Sequence, residues 1–244
     1  MLTNKLLGAG ASGEKDMIVE YTDAVFVPSQ TGTSFSQTVD TGTTTYSGYT
    51  RYVLTIFGNV SAGSEYAAAG PDWSGNAPTL GGTTTTVLAT LVSTAPLRIG
   101  CVYSIVATNT TGDQTFAINL NADTAGSGVV VFNVFIKGGP PVLQDSDITE
   151  GLIVYNFSSI PLSVNEGQNA VFACSIPENG SYTFSGTAGI NQSNTVARGD
   201  INSSEYMAVG FVQDVSSGSK SVITSGGGEN GYLSVLTGIV LKIG

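Results

Sequence analysis

Gly8, Gly10 and Gly13 in LLGAGASG (residues 6–13) stand at G-x-G-x-x-G spacing. Between a strand and a helix, that spacing lets backbone approach a pyrophosphate held at the helix N-terminus. Only seven residues precede Gly8, and Asn4 and Lys5 interrupt their apolar positions. After Gly13 comes EKDMIVEYTDAVFV, which is extended and β-branched rather than helical. With no helix end there is no positive dipole to hold phosphate. Leu6, Leu7, Gly8, Gly10 and Gly13 are therefore expected to belong to a docking arm, its glycines letting backbone lie close to a neighbour.

The remaining reactive residue types narrow the chemistry further. The chain has no histidine, which removes Ser-His-Asp and Cys-His activation and the commonest metal ligand. GSKS (218–221) lacks the order of a phosphate loop and reads as a turn. Asp145, Asp147 and Glu150 form the densest acidic stretch, QDSDITEG. It reads as a solvated loop; a loose calcium site and a glycosidase-type carboxylate pair are the alternatives. Cys101 and Cys174 lie in the apolar runs IGCVYSIVA and AVFACSI. They read as two buried thiols, with a single inter-strand disulfide as the alternative. No set carries a reaction, so no enzyme activity and no cofactor are expected.

Aromatic residues offer a binding chemistry instead. Trp73, the only tryptophan, sits in the turn-rich GPDWSGNAP between Asp72 and Asn76. Sugars stack on exposed aromatic faces beside such hydrogen-bonding partners. Tyr46 and Tyr52, six apart in one strand, would share a face, with Tyr49 on the other. The competing account packs Trp73 and the tyrosines against the body or a subunit. Six N-x-[ST] sequons, at Asn59, Asn109, Asn156, Asn179, Asn191 and Asn202, are a mild excess for a chain so rich in Ser and Thr.

Strands must position these residues. Extended patterns fall near 17–27, 45–60, 84–93, 97–108, 114–121, 128–137, 151–164, 169–176, 181–186, 205–215 and 231–243. Asn179-Gly180 between AVFACSIP and SYTFSG predicts a hairpin, and Asn230-Gly231 precedes the last strand. Only AGSEYAAAG (62–70) has helical character. The expected fold is all-β: an antiparallel sandwich, jelly-roll-like or Ig-like, of about 10–12 strands. Residues 1–16 form the arm and 17–244 one body, with a possible subdivision near 138–147, since neither half plainly repeats the other. Runs such as VVVFNVFI are apolar on both faces and so need a cover on each. Subunit packing is the expected cover, hence a homo-oligomer.

Only 11% of residues are charged and the formal net charge is −10, with no basic stripe. Nucleic-acid binding is excluded on that ground, and no apolar run is long enough to span a bilayer as a helix. No secretory leader is read at the start. The Gly/Ala-rich leader MLTNKLLGAGASGEKD and the Thr/Ser/Gly-rich, histidine-free β-body resemble those of virion structural proteins of tailed bacteriophages. The resemblance implies a capsid-decoration, tail or fibre subunit. It would be assembled in the host cytoplasm as a trimer or other homo-oligomer, its arm docking other virion proteins. A host-surface glycan on Trp73 is the alternative partner.

Overall fold

In the computed structural model, residues 15–28, 32–61, 77–93, 99–120, 124–153, 157–177, 182–201, 205–226 and 232–244 are described here. The arm residues 1–14, the stretch 62–76 and Asn179-Gly180 lie outside them. Among the described residues the chain is all-β, antiparallel throughout, with seventeen strands and a single 3-10 turn at Gln192–Asn194. The count exceeds the expected 10–12 because short outer and edge strands such as β2 (Ser34–Asp40), β4 (Thr79–Leu80), β14 (Thr195–Asp200) and β16 (Gly218–Gly226) add to the extended patterns seen in the sequence.

The strands make four sheets. In the first half, β1 (Met17–Pro28), β9 (Thr124–Ile136), β3 (Thr50–Ser61), β7 (Ile99–Ala107) and β6 (Thr86–Val92) form an inner sheet in that order. The outer sheet orders β2 (Ser34–Asp40), β8 (Asp113–Asn119), β4 (Thr79–Leu80) and β5 (Thr83–Thr84). In the second half, the inner sheet orders β10 (Pro141–Ile153), β17 (Tyr232–Ile243), β12 (Asn169–Pro177), β15 (Tyr206–Gln213) and β14 (Thr195–Asp200). Its outer sheet orders β11 (Phe157–Val164), β16 (Gly218–Gly226) and β13 (Tyr182–Ser185).

Written by position within each half, the two orders coincide. First, last, third and penultimate-but-one strands pair inside; second, penultimate and fourth pair outside. This is the jelly-roll order, met twice in tandem. The halves join through the turn at 137–140, at the head of the expected 138–147 boundary. The repeat that the residues hide is plain in the topology.

Each inner strand is buried on both faces because each is a middle layer. In β3, Leu54 and Ile56 point to the other half while Val53 and Phe57 point to their own outer sheet; all four are fully buried. In β12, Phe172 and Cys174 point to the first half, and Val171 and Ala173 to the outer sheet behind them. Three cores result: one between the two inner sheets and one under each outer sheet. The two-sided runs that the sequence seemed to reserve for a partner subunit are thus covered by this chain's own layers.

The inner sheets face each other about a pseudo-twofold axis. β3 meets β12 near the middle, β1 runs along β14, and β10 runs correspondingly along β6. Phe132, Phe172 and Phe211 meet there, with Phe132 edge-on to both others at ring-centroid distances of 5.1 and 5.2 Å. Tyr103 of the first half exchanges a 2.7 Å hydrogen bond with Thr237 of the second. Burial pushes the Tyr103 hydroxyl pKa well up, so it stays protonated there.

A bulge recurs in the leading strand of each half. At the first, Asp23 accepts hydrogen bonds from Ala24 N and from Asp40 N at the end of β2, both at 2.8 Å. At the second, Asp145 accepts from Ser146 N (2.9 Å) and from Ser163 N in β11 (2.6 Å). Each carboxylate staples an inner edge strand to its outer sheet through charge-assisted bonds.

Several local expectations need correction. β12 pairs with β15 and β17 while β13 pairs with β16. The segment holding Asn179-Gly180 therefore connects two different sheets and closes no hairpin between them. GSKS opens β16 instead of making a turn, and QDSDITEG lies within β10 instead of a loop. The extended patterns in the sequence miss β2, β4, β14, β16 and most of β10, and the 45–60 strand begins only at Thr50.

Candidate functional site: the head of the first strand and the tyrosine turn

Residues 41–49, TGTTTYSGY, connect β2 to β3. Gly42 and Gly48 take positive φ (70° and 81°), and Tyr49 N bonds Tyr46 O at 3.2 Å, so the chain folds back on itself there. Tyr46 thus sits in a turn, not a strand, and does not share a face with Tyr52. Tyr52 packs half-buried against the central core. The Tyr46 ring instead stands edge-on to Phe135 (4.8 Å) and tilts against Tyr49 (5.8 Å).

Both tyrosines grip the start of the chain. Tyr46 Oη donates to Glu20 Oε1 at 2.6 Å, and that bond, with burial and the Glu20 charge, pushes its pKa up to about 12. Tyr49 Oη donates to the Lys15 carbonyl. Lys137 Nζ stands 4.7 Å over the Tyr49 ring, while its backbone N donates to Asp16 O at 2.8 Å.

The second half holds the same segment from the other side. Met17 N donates to Gln168 Oε1 at 2.7 Å, and Gln213 Nε2 donates to Met17 O at 3.4 Å. Lys15 Nζ pairs with Asp214 Oδ2 at 2.6 Å. Both side chains are more than a third exposed, so this ion pair contributes no more than about 1 kcal/mol. Residues 15–17, at the head of β1, are therefore clamped by residues from both jelly rolls. Strand spacing would set Tyr49 on the face opposite Tyr46, whereas the turn brings the two rings together; Lys137, Gln168 and Gln213 carry no sequence sign of this role.

Beneath the turn, Arg51 is 5% exposed. Its Nε donates to Asn133 Oδ1 at 3.0 Å and its two terminal nitrogens donate to the carbonyls of Thr110 and Thr41. Asn133 Nδ2 donates to Thr41 O at 2.9 Å. Burial lowers the Arg51 pKa while nearby Asp40 opposes that shift. The guanidinium charge is met by carbonyl and amide oxygens, and the network fixes where the turn begins.

The other sequence candidates fall apart in space or outside view. Trp73, Asp72 and Asn76, like Leu6, Leu7, Gly8, Gly10 and Gly13, lie outside the described residues. Asp145 is engaged as the β10 staple and Asp147 accepts from Ile148 N at 2.8 Å. Glu150 lies farther along the same strand. Among the described residues no group of three His, Cys, Asp or Glu is placed to hold a metal ion. Nor is any helix long and apolar enough to cross a membrane. Asn59 of the first sequon is 1% exposed, closed to glycosylation in the folded chain.

No family model matches this chain, and no curated protein matches it. Among solved structures it is similar to a variant of BuGH86 in complex with neoagarooctaose, at 8% identity and a TM-score of 0.29. That match covers 93% of this chain and 34% of the other, so the chain spans about a third of that protein's length. It is also similar to the PBSX exported protein XepA, at 11% identity and a TM-score of 0.19, over 91% of this chain and 86% of that one. Neither likeness bears on the function.

Proposed function

We propose that this chain is a structural subunit of a bacteriophage-type particle. In this reading the tandem jelly rolls form a stiff body, and the arm docks onto a neighbouring subunit. The observation that carries it is the clamp on residues 15–17. Hydrogen bonds donated by Tyr49, Lys137 and Gln213 and one accepted by Gln168, drawn from both halves, fix the direction in which the arm leaves. An arm that only trailed in solvent would have no need of such a fixture. The jelly-roll order agrees by analogy alone, since capsid and lectin domains share it.

Deleting residues 1–14 tests the reading, because the deletion spares every described contact. The shortened chain should keep its circular dichroism spectrum and melting temperature yet fail to enter particles, scored by immunogold labelling of intact virions. Incorporation at the full-length level would sink the docking role. Because the chain covers its own inner strands, a homo-oligomer in this reading rests on arm exchange. Native mass spectrometry at micromolar concentration should then show an oligomer for the full chain and a monomer for the deletion.

A further inference from the structure

The centre of the molecule holds the chain's only two cysteines, one from each half. Cys101 is on β7 and Cys174 on β12; both side chains are fully buried, and their Sγ atoms lie 3.5 Å apart as free thiols. They face each other across the contact between the inner sheets, within the core that holds the halves together.

The pair occurs once although the topology repeats. Asp23 pairs with Val131, and three residues back along β9 Gly128 pairs with Gly58, which pairs with Cys101. Asp145 pairs with Val240, and three residues back along β17 Thr237 pairs with Cys174, which pairs with Val209. Cys174 thus stands where the first half has Gly58, and Cys101 where the second half has Val209. Gly58 has no room for a side chain, since a Cβ there would lie 3.0 Å from both Ile176 Cδ1 and Met207 Sδ. The pseudo-twofold axis therefore generates no second sulfur pair.

We propose that Cys101 and Cys174 are a modification site: a disulfide that covalently joins the two jelly rolls when the chain folds in the presence of a disulfide oxidant. With both halves in place the sulfurs need only close from 3.5 Å to about 2.05 Å. The step balances with a small-molecule disulfide such as oxidised glutathione. One protein thiolate attacks it, forming a mixed disulfide and releasing one glutathione thiolate. The second protein thiolate attacks the protein sulfur of that mixed disulfide, forming the Cys101–Cys174 bond and releasing the second glutathione. The two protons lost by the protein end on the two glutathione thiols.

Timing follows from burial. In the closed body neither sulfur is exposed, and burial pushes the Cys174 thiol pKa well up, so no thiolate is presented to an oxidant. The first exchange, with the oxidant, belongs to the interval before the inner sheets meet; the second, between the two protein sulfurs, accompanies their meeting. The bond, once made, is shielded from reductants in the same way, so its presence records the redox state of the compartment in which the chain folded.

The test is to refold the full chain from denaturant with either oxidised glutathione or a phosphine reductant. Free thiols are then alkylated under denaturing conditions, and intact mass and non-reducing peptide maps are recorded. Folding with the oxidant should give a product two hydrogens lighter, unalkylated, with one cross-linked peptide pair containing Cys101 and Cys174. Its melting temperature should exceed that of the reduced form by about 10 °C. Cys101→Val, which installs the residue found at the equivalent place in the second half, should show no such rise between the two conditions. Two alkylated cysteines or glutathione adducts on natively folded protein would overturn the proposal. Equal melting temperatures with the bond formed would overturn its role in joining the halves. If the variant fails to fold, the mass measurements on the natural chain still decide.

Discussion

Each half must tie its turn between two inner-to-outer strands to the start of its third strand, and the two do so with different residues. In the first half Arg51 reaches from β3 to the Thr110 carbonyl and, on its other side, to Thr41. In the second half Asn169, at the head of β12, donates from Nδ2 to Val215 O at 2.9 Å and accepts from Val215 N at 3.0 Å. The difference follows the connections that enter those strands. Residues 41–49 carry a tyrosine turn that has to be held from beneath, so a long, forked donor spans it. Residues 165–168 are short enough for one amide. Topology dictates that the tie exists; loop length dictates whether it carries a buried charge.

The comparison breaks most visibly at the surface the halves share. Phe172→Ala should destabilise the protein by about 3–5 kcal/mol, read by urea denaturation. If the inner sheets are one core, near-UV and far-UV circular dichroism will still report one transition. Two separated transitions would make the halves independent domains that merely dock.

Next comes the pair of ties. Arg51→Met should cost about 3 kcal/mol, because Asn133 Oδ1 and the Thr110 carbonyl lose their charged donor and Thr41 O keeps only Asn133 Nδ2. Asn169→Ala should cost about 2 kcal/mol, with two buried backbone groups of Val215 orphaned. Equal losses would show that the buried charge adds nothing to the value of the tie. The staples should behave more alike. Asp23→Ala and Asp145→Ala are each expected to cost about 1–2 kcal/mol. Lying in separate halves with no shared partner, they should add in the double variant to within about 0.5 kcal/mol.

The smallest effect belongs to the turn found only in the first half. The Tyr46 pKa lies near 12 in the folded chain against 10.0 for the free side chain. A raised folded pKa means that the native state holds its proton more tightly. The stability from the Glu20 contact is therefore whole below about pH 10 and is lost as pH rises towards 12. Tyr46→Phe should flatten the alkaline limb of a denaturation midpoint plotted against pH, by a modest amount because the hydroxyl is largely solvated.

The inner strands were legible because double burial writes an unbroken apolar run, as in GVVVFNVFI of β9 or AVFACSI of β12. Outer strands such as SFSQTVD and GSKSVITSG bury a single face and spend the other on hydroxyls, so they read as loops. β10 was hidden by its own staple: the bulge at Asp145 breaks the alternation that would have marked a strand. Asn179-Gly180 misled because turn chemistry says nothing about whether the flanking strands share a sheet. The repeat was illegible because a core layer asks only for apolar volume. Val209 and Cys101 meet that demand equally, and Phe211 and Tyr103 both sit in the central core with no common motif. Of the candidate site, Tyr46 and Tyr49 stood out in the sequence, but on opposite faces of a strand instead of side by side in a turn.

Successive strands in each half mostly pass from one sheet to the other, and this sets an order of events. Met17 waits for Ile136 before β1 has a ladder, and Pro141 waits for Ile243. A ribosome therefore exposes nearly a whole jelly roll before its inner sheet can close, and loop closure over such spans makes folding slow. Through that wait the most apolar strands have no cover, and the middle strands of both halves, being alike in pattern, are candidates to pair with the wrong sheet. Building four layers from one chain thus sets a long interval between synthesis of the first strand and closure of its sheet.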